Sequence, residues 1–258
     1  MSSRIQQHAR ARALGSADHV RSGPFVLRHD RGWDSPFANY AIPDDGAAPT
    51  AGDVAALVGA FRERERLPRL EYLPSCAPLV EPALLAAGFT VENRAAVMAC
   101  AAEALGAPDT PSGVVLREPA DEGEFLEAAL VQCVGYGGSA DDADAVKGGT
   151  ARLHATADGG GFAAVAATAQ GTVVGVGICT APLDGLSELA GLAVASAFRR
   201  RGVAAALSAH LTAMALAGGC ALVWLEPGDP DIQRIYARIG YRVVDEKLNI
   251  SLTRADPG

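Results

Sequence analysis

The sequence has 258 residues, close to two domains of ordinary size, and 49% of them are hydrophobic, which is enough to bury a sizeable core. It carries 22 basic and 30 acidic residues, and the net charge of −8 argues against a general nucleic-acid binder, although a local basic patch is still allowed. No apolar run approaches the roughly 20 residues that span a bilayer, and residues 1–15 contain no apolar signal core. We therefore expect a cytoplasmic protein without membrane or nucleic-acid partners.

The cysteines are widely separated, with no CxxC pair and no histidine at a zinc-ligand spacing. They are Cys76, Cys100, Cys133, Cys179 and Cys220. This pattern predicts reduced, mostly buried thiols and no metal site. Arginine far outnumbers lysine and alanine is abundant, which is typical of a GC-rich bacterial genome.

In chain order, residues 51–64 have the pattern of a helix in the N-terminal half. The stretch Gly106-Ala-Pro-Asp-Thr-Pro-Ser-Gly113 then separates two periodic regions, and its composition predicts a linker. We therefore divide the chain into an N-terminal lobe, residues 1–107, and a C-terminal domain, residues 113–258.

The C-terminal domain alternates strand and helix patterns. Predicted strands cover residues 114–117, 162–168, 172–180, 186–194 and 220–225, and predicted helices cover residues 120–134, 142–157, 202–216 and 231–239. Residues 241–244 and 248–252 are predicted to form a closing β-hairpin around Asp245 and Glu246. This order predicts a mixed α/β fold with a central sheet.

The two halves of the chain are similar to each other when one is shifted by 152 residues. The helix at residues 51–64 then falls on the helix near residues 203–216. The shift also places Leu73 on Leu225, Pro78 on Pro230, Gly88 on Gly240, Phe89 on Tyr241 and Val91 on Val243. This order of matching elements favours a duplication, and the alternative is a coincidence of common residues.

A basic turn, Arg199-Arg200-Arg201-Gly202, joins the predicted strand 186–194 to the following helix. Such a turn presents main-chain N–H groups, the positive end of a helix and mobile arginines to one place, which suits a pyrophosphate. Gly202 would let the backbone approach the phosphate closely. The alternative is three solvated arginines at the start of a helix.

Two motifs in this region resemble those of the GCN5-related N-acetyltransferases (GNAT). Arg199-x-x-Gly202-x-Ala204 looks like the Q/R-x-x-G-x-G/A acetyl-CoA signature, and Ile235-Tyr236-Ala-Arg-Ile-Gly240-Tyr241 resembles the closing "LYxxxGF" motif. The resemblance covers roughly residues 113–254 and implies a GNAT-like acyl-CoA acyltransferase fold. Together with the internal similarity, it implies two tandem lobes, of which the N-terminal one is degenerate.

The resemblance also implies which residues bind acetyl-CoA. In relatives the strand before the signature splays from its neighbour and leaves main-chain groups for the pantetheine arm. The signature amides and arginines take the pyrophosphate. This chain departs from the family's pattern at Asp229, where many relatives carry Asn. The implied cofactor-binding residues are Leu192, Ala193, Val194, Arg199, Arg200, Arg201, Gly202, Val203, Ala204 and Asp229.

Two catalytic roles follow from the same resemblance. Tyr236 matches the residue that often protonates the thiolate, and a phenol has an ordinary pKa near that of an alkyl thiol. Glu188 matches the strand carboxylate that acts as base through water, and alternation predicts that it shares a strand face with Leu192 and Val194. The alternatives are a core aromatic for Tyr236 and an ordinary edge carboxylate for Glu188.

The N-terminal half lacks the corresponding groups. Its counterpart of the basic turn is Ala47-Ala-Pro-Thr-Ala-Gly52, which has no arginine and contains a proline without an amide donor, and Leu84 stands in place of Tyr236. We therefore expect one active site, in the C-terminal half. The acceptor-pocket residues predicted from loop placement are the 135–139 loop with Tyr136, and Trp33, Phe37 and Tyr40.

The sequence thus predicts an N-acetyltransferase that moves an acetyl or short acyl group from acetyl-CoA to a primary amine of a small molecule or peptide. No P-loop, nucleophile-elbow or dinucleotide-binding motif competes with this interpretation. A non-catalytic acyl-CoA sensor and a protein-interaction module without cofactor remain as alternatives. The identity of the acceptor stays open, and a monomer or homodimer is expected.

Overall fold

The structure, a computed structural model, describes residues 1–15, 18–31 and 34–253. The chain divides into two compact units, the first formed by Met1–Val97 with Val244–Gly258 and the second by Met98–Val243. Residues 106–113, predicted as a linker, belong to the second unit in this division. No helix of the described residues is both long enough and apolar enough to cross a membrane.

Helices and strands follow one another along both units. In chain order they are α1 (Ser2–Gly15), β1 (His19–Ser22), β2 (Phe25–Arg28), β3 (Tyr40–Pro43), α2 (Ala51–Arg62), β4 (Arg69–Tyr72), α3 (Val80–Ala86), β5 (Thr90–Cys100), β6 (Val114–Arg117), α4 (Glu122–Gly135), α5 (Ala143–Asp158), β7 (Phe162–Thr168), β8 (Val173–Cys179), β9 (Leu186–Val194), α6 (Val203–Ala217), β10 (Leu222–Leu225), α7 (Pro230–Arg238) and β11 (Arg242–Ser251). The predicted order of strands and helices from residue 114 to residue 239 is confirmed.

The predicted closing hairpin is wrong, because β11 runs without a turn from Arg242 to Ser251. Asp245 and Glu246 lie inside the strand, where their carboxylates bind partners of the first unit. The Ser75 hydroxyl donates to Asp245 at 2.5 Å, and Arg94 donates to Glu246 at 2.9 Å. These contacts keep Asp245 and Glu246 in an extended conformation, although such a pair of acidic residues resembles a turn in the sequence.

In the first unit, β1, β2 and β3 are antiparallel neighbours, and β3 runs parallel to β4 with Ala41 opposite Leu70. The strand β11 is antiparallel to β4, with Leu248 opposite Tyr72. One face of this sheet is covered by an apolar cluster that includes Leu57 of α2 and Leu84 of α3.

In the second unit, β6, β7, β8 and β9 form an antiparallel sheet that β10 extends in parallel with β9. The last residues of β5 lie on the other side of β10, with Cys100 opposite Val223. Helix α6 packs on one face of β7, β8 and β9, while α4 packs on β8 and β9 and α5 packs on β7. The sheet therefore lies between two helical layers, as a mixed α/β fold requires.

Candidate active site

The parallel strands β9 and β10 part after a short stretch of pairing. Pairing begins at Leu222 and Leu186 and ends at Trp224 and Glu188, whereas β9 continues for six more residues to Val194. Its far half has β8 on one side only, and none of the described strands pairs with the other side. Parallel strands that diverge in this way open a cleft at their carboxyl ends, where ligands bind in open α/β sheets.

A β-bulge interrupts β9 within this cleft. On β8, Val176 and Ile178 are two residues apart, but their partners Ala193 and Ala190 are three apart, so β9 carries one extra residue. Gly191 lies at the bulge with a φ of 61°, a backbone conformation that glycine adopts without strain. The extra residue reverses the alternation of side chains beyond it.

The bulge contradicts the prediction that Glu188 shares a strand face with Leu192 and Val194. Beyond the bulge, Leu192 and Val194 pack in the apolar cluster beneath α6. Ala193 packs in the cluster on the opposite face, and the register places Ala190 and Glu188 on the same face as Ala193. Alternation fails here because it assumes a strand without an insertion.

The main-chain groups of the three predicted pantetheine-binding residues are not equivalent. The amide of Ala195 donates to the carbonyl of Val174 at 2.9 Å, so Ala193, two residues earlier, also directs its main chain towards β8. Val194 lies between them, opposite Gly175, and its main chain points away from β8 into the cleft. Its carbonyl accepts a hydrogen bond from Arg199 Nε at 3.0 Å.

The basic turn after β9 leads into α6 as predicted. Arg200 and Gly202 both have left-handed backbone, with φ of 60° and 86°, and α6 begins at Val203. Its N-cap residue is Gly202, which provides no side-chain cap. Its first-turn amides, which include those of Val203 and Ala204, therefore lack partners within the helix. Arg199, Arg200 and Arg201 are all exposed beside them, and the guanidinium of Arg201 lies 5.3 Å from the ring centre of Phe198.

Tyr236 lies buried on α7, with 6% of its surface exposed. Its ring meets that of Tyr241 edge-on at 5.8 Å between ring centres. Burial raises the pKa of Tyr236, the nearby Tyr136 raises it further, and the Ser208 hydroxyl opposes the rise. That hydroxyl is itself buried and forms no well-aligned hydrogen bond with any described residue, so it faces Tyr236 without closing a regular hydrogen bond.

Tyr136 ends α4 beside the bulge. Most of its surface is exposed, at 67%, but its hydroxyl points inwards and lies 3.4 Å from the carbonyl of Leu192. Burial of this end of the side chain raises the pKa of Tyr136. The predicted acceptor-pocket residue Tyr136 is thus close enough to the predicted acid Tyr236 to raise its pKa.

Glu188 occupies the last paired position of β9 before the strands part. Its amide donates to the Thr180 hydroxyl and its carbonyl accepts from the Thr180 amide, both at 2.9 Å. The residue is half-buried, opposite Trp224 of β10. The backbone of Glu188 is therefore fixed at the apex of the cleft.

Asp229 caps the N-terminus of α7. Its carboxylate accepts hydrogen bonds from the amides of Asp231 and Ile232, at 2.8 and 2.9 Å, which is the geometry of an N-cap. This cap fixes the start of the helix that carries Tyr236.

The glycine of the closing motif is explained by close packing. Gly240 has a φ of 105°, and a Cβ there would lie 1.9 Å from the carbonyl oxygen of Ala104. The following Tyr241 is buried, with its hydroxyl 2.7 Å from that of Thr212 on α6. Both residues of the motif therefore fix the end of α7, Gly240 against Ala104 and Tyr241 against Thr212 of α6.

Gln132 and Gly191, which are hydrogen-bonded to each other at the bulge, were not singled out in the sequence. Gln132 Nε2 on α4 donates to the carbonyl of Gly191 at 2.6 Å. A glycine inside a predicted strand is a signal for a bulge and could have indicated Gly191. Gln132 carries no such signal, because its partner is a main-chain atom distant in sequence.

The acceptor-pocket residues predicted in the first unit lie against cations. The Arg69 guanidinium is 5.4 Å from the ring centre of Phe37, which is 72% exposed. Arg28 and Lys247 lie 5.7 and 5.9 Å from the ring centre of Tyr40. Trp33 lies outside the described residues.

Among the residues that the structure describes, no three His, Cys, Asp or Glu side chains are grouped so that they could hold a metal ion.

The second unit thus combines a mixed sheet that opens between two parallel strands with a helix that begins at the mouth of the opening. Residues 125–241 match the family model described as Acetyltransferase (GNAT) family, and this part of the chain is a GNAT domain. No protein of curated function matches the sequence.

Similar solved structures extend the likeness to the whole chain. A GCN5-related N-acetyltransferase from Kribbella flavida is 26% identical, with a TM-score of 0.79 over 100% of this chain and 96% of that one. A tandem GNAT protein from the clavulanic acid biosynthesis pathway shares the fold at 14% identity, with a TM-score of 0.59 over 92% of this chain and 82% of that one. A GCN5-related N-acetyltransferase from Sphaerobacter thermophilus does so at 19% identity, with a TM-score of 0.56 over 72% and 59%.

Proposed function

We propose that the protein transfers an acetyl or other short acyl group from acetyl-CoA to a primary amine, at one site in the second unit. The observation that carries this proposal is the uncapped start of α6 beside Arg199, Arg200 and Arg201, at the mouth of the cleft between β9 and β10. Amides without acceptors, a helix N-terminus and three cations together suit a doubly charged pyrophosphate.

The residues of the cleft fit the rest of the cofactor. Val194 directs its main chain into the opening, where an amide-containing arm such as pantetheine finds hydrogen-bond partners. Its carbonyl is shared with Arg199, so this arginine links the strand edge to the basic turn. Gly202 keeps the turn compact, since its left-handed backbone disfavours a residue with a side chain.

Bound acetyl-CoA would supply the acyl group, already activated as a thioester. In our proposal Glu188 accepts, directly or through water, the proton that the amine loses as its nitrogen attacks the acyl carbon. Tyr236 donates its phenolic proton to the departing sulfur. Because its pKa is raised by burial, Tyr236 stays protonated throughout the neutral range, which is the state that a proton donor requires, and it is a weaker acid than a free phenol. Glu188 then returns its proton to solvent through the open side of the cleft, and the phenolate left on Tyr236 takes up a proton from solvent, so both groups are restored for the next cycle.

The experiment that tests this proposal is acetyl-CoA-dependent thiol release across a panel of polyamines, amino acids, aminoglycosides and peptides. We expect turnover with at least one primary amine, and calorimetric binding of CoA without any acceptor. Binding of CoA with no turnover across the panel would support the sensor alternative. Absence of CoA binding would overturn both.

A further inference from the structure

Helix α4 directs two side chains, one turn apart, at consecutive carbonyls of the β9 bulge. Gln132 Nε2 donates to Gly191 at 2.6 Å, and the Tyr136 hydroxyl lies 3.4 Å from the carbonyl of Leu192. Residues four apart lie on the same face of a helix, so Gln132 and Tyr136 contact two successive residues of the bulge from the same face of α4. The Gln132 contact is the shorter of the two and lies well within hydrogen-bond distance.

Gln132 and Gly191 fit each other closely. A Cβ at position 191 would lie 2.5 Å from Gln132 Nε2, and the φ of 61° already disfavours a side chain there. One turn further along α4, a Cβ at Gly135 would lie 2.8 Å from the Cβ of Ala193. The carboxyl end of α4 therefore packs directly on the irregular part of β9.

The bulge decides which groups β9 presents to the cleft. It separates Glu188 and Ala190 on one face from Leu192 and Val194 on the other. Its position also determines that the main chain of Val194 points away from β8. Loss of the bulge would shift the register on one side of it by one residue and so exchange these orientations.

We propose that Gln132 is a positioning residue for cofactor binding, which acts by fixing the bulge at Gly191 and so the direction of the main-chain groups of Leu192 and Val194. This inference rests on the proposed function, because it assigns those groups to CoA. The side-chain amide of Gln132 suits the task, since its N–H reaches a carbonyl that the bulge withdraws from the β8 ladder.

Two substitutions of nearly equal size test the role of the donor. Gln132→Met keeps the volume and removes the N–H, and we expect CoA binding to weaken about 10-fold relative to wild type at any pH. Gln132→Glu cannot donate while ionised, but a protonated carboxyl can. Its CoA affinity, divided by that of wild type at the same pH, should therefore be low at about pH 7.5 and recover towards about pH 5. Calorimetry is done with CoA alone, so that protonation of an amine acceptor does not contribute to the pH dependence.

Val134→Met is the matched control, because Val134 is an exposed residue of the same helix. It should bind CoA as wild type does. Thermal unfolding of all three variants should stay within about 3 °C of wild type. Amide hydrogen exchange in residues 186–195 should quicken in Gln132→Met and not in the control.

Wild-type affinity in Gln132→Met, or a Gln132→Glu ratio that does not change with pH, overturns the role of Gln132 and leaves the proposed function standing. Wild-type protein that fails to bind CoA overturns the proposed function together with this inference. A loss of affinity that parallels a loss of thermal stability in both variants assigns Gln132 to general folding and also overturns the inference.

Discussion

The side-chain oxygen of Gln6 accepts a hydrogen bond of 2.8 Å from the amide of Leu73, the first residue after β4. The amide nitrogen of the same side chain donates to Asp45, two residues after β3, at 2.9 Å. Gln6 is 2% exposed. Helix α1 thus connects the carboxyl ends of two parallel strands, the same topological place that the cleft between β9 and β10 occupies in the second unit.

In the first unit, the N-terminus of α2, the helix that follows β3, is capped by its own side chains and does not favour an anion. Thr50 and Asp53 form a capping box at the start of α2, with the Asp53 carboxylate accepting from the Thr50 amide at 2.8 Å. Hydrogen bonds from Thr50 lower the pKa of Asp53, so this carboxylate stays ionised and repels phosphate. Helix α6 has neither feature.

Acetyl-CoA should therefore saturate at one equivalent per chain. In the first unit Gln6 bonds the strand ends, and Thr50 and Asp53 cap the helix start, so neither place offers the open helix N-terminus and basic turn that favour a pyrophosphate at α6. Isothermal titration gives the stoichiometry directly. Two equivalents, with the second unaffected by changes at Gly202, would show that the first unit is not degenerate.

Arg199→Ala should weaken CoA binding by about 1–2 kcal/mol, roughly 5- to 30-fold, because it removes a charge-assisted contact and the link to the Val194 carbonyl. The effect should diminish with added salt, as expected for an exposed charge. Arg62→Ala is the control, since Arg62 is also exposed and lies on α2. Equal CoA affinities of the two variants would show that Arg199 does not bind the cofactor.

Gly202→Ala should weaken CoA binding while Gly219→Ala should not. Both glycines have left-handed backbone, with φ of 86° and 99°, and a Cβ meets at most one atom near van der Waals distance in either place. The two variants should thus lose similar stability, about 1–2 kcal/mol. Only Gly202 borders the first turn of α6. Denaturant unfolding and calorimetry separate the two effects, and equal CoA affinities would contradict the pyrophosphate assignment.

Tyr236→Phe should lower kcat about 100-fold with little change in CoA affinity, because it removes only the phenolic proton. The pKa of Tyr236 is raised by burial, so the wild-type rate should show no alkaline decline from this group up to at least about pH 10. Tyr241→Phe provides the comparison. It loses the hydrogen bond to Thr212 and should lose stability rather than kcat. A Tyr236→Phe enzyme as fast as wild type assigns the phenol to packing.

Glu188→Gln should lower kcat/KM chiefly at the acidic end of the pH profile. There the amine is protonated and must lose a proton before it attacks, whereas at alkaline pH it is already neutral and needs the base less. The ratio of variant to wild-type kcat/KM should accordingly rise with pH. A ratio that is constant from about pH 6 to about pH 9 would mean that Glu188 is not the base.

The sequence was sufficient for the order of elements from residue 114 to residue 239 and for the basic turn, because hydrophobic period and glycine position are local signals. It was misleading where one residue changed the geometry. The insertion at Gly191 reversed the alternation on which the face of Glu188 was predicted. Asp245 and Glu246 resembled a turn because their partners, Ser75 and Arg94, lie far away in the chain. The hydrogen bonds of Gln132 and Gln6 to main-chain atoms left no pattern to find.

Strands β5 and β11 have a consequence for the modularity of the chain. Met98–Cys100 pair with β10 in the second unit, although most of β5 belongs to the first, and Leu248–Ser251 pair with β4 in the first unit, although β11 begins in the second. No single cut separates the halves into self-sufficient pieces. A fragment beginning at residue 113 would leave β10 with a bare, aggregation-prone edge and Gly240 without its Ala104 neighbour. If the chain arose by duplication, a strand segment of each copy now pairs within the sheet of the other copy.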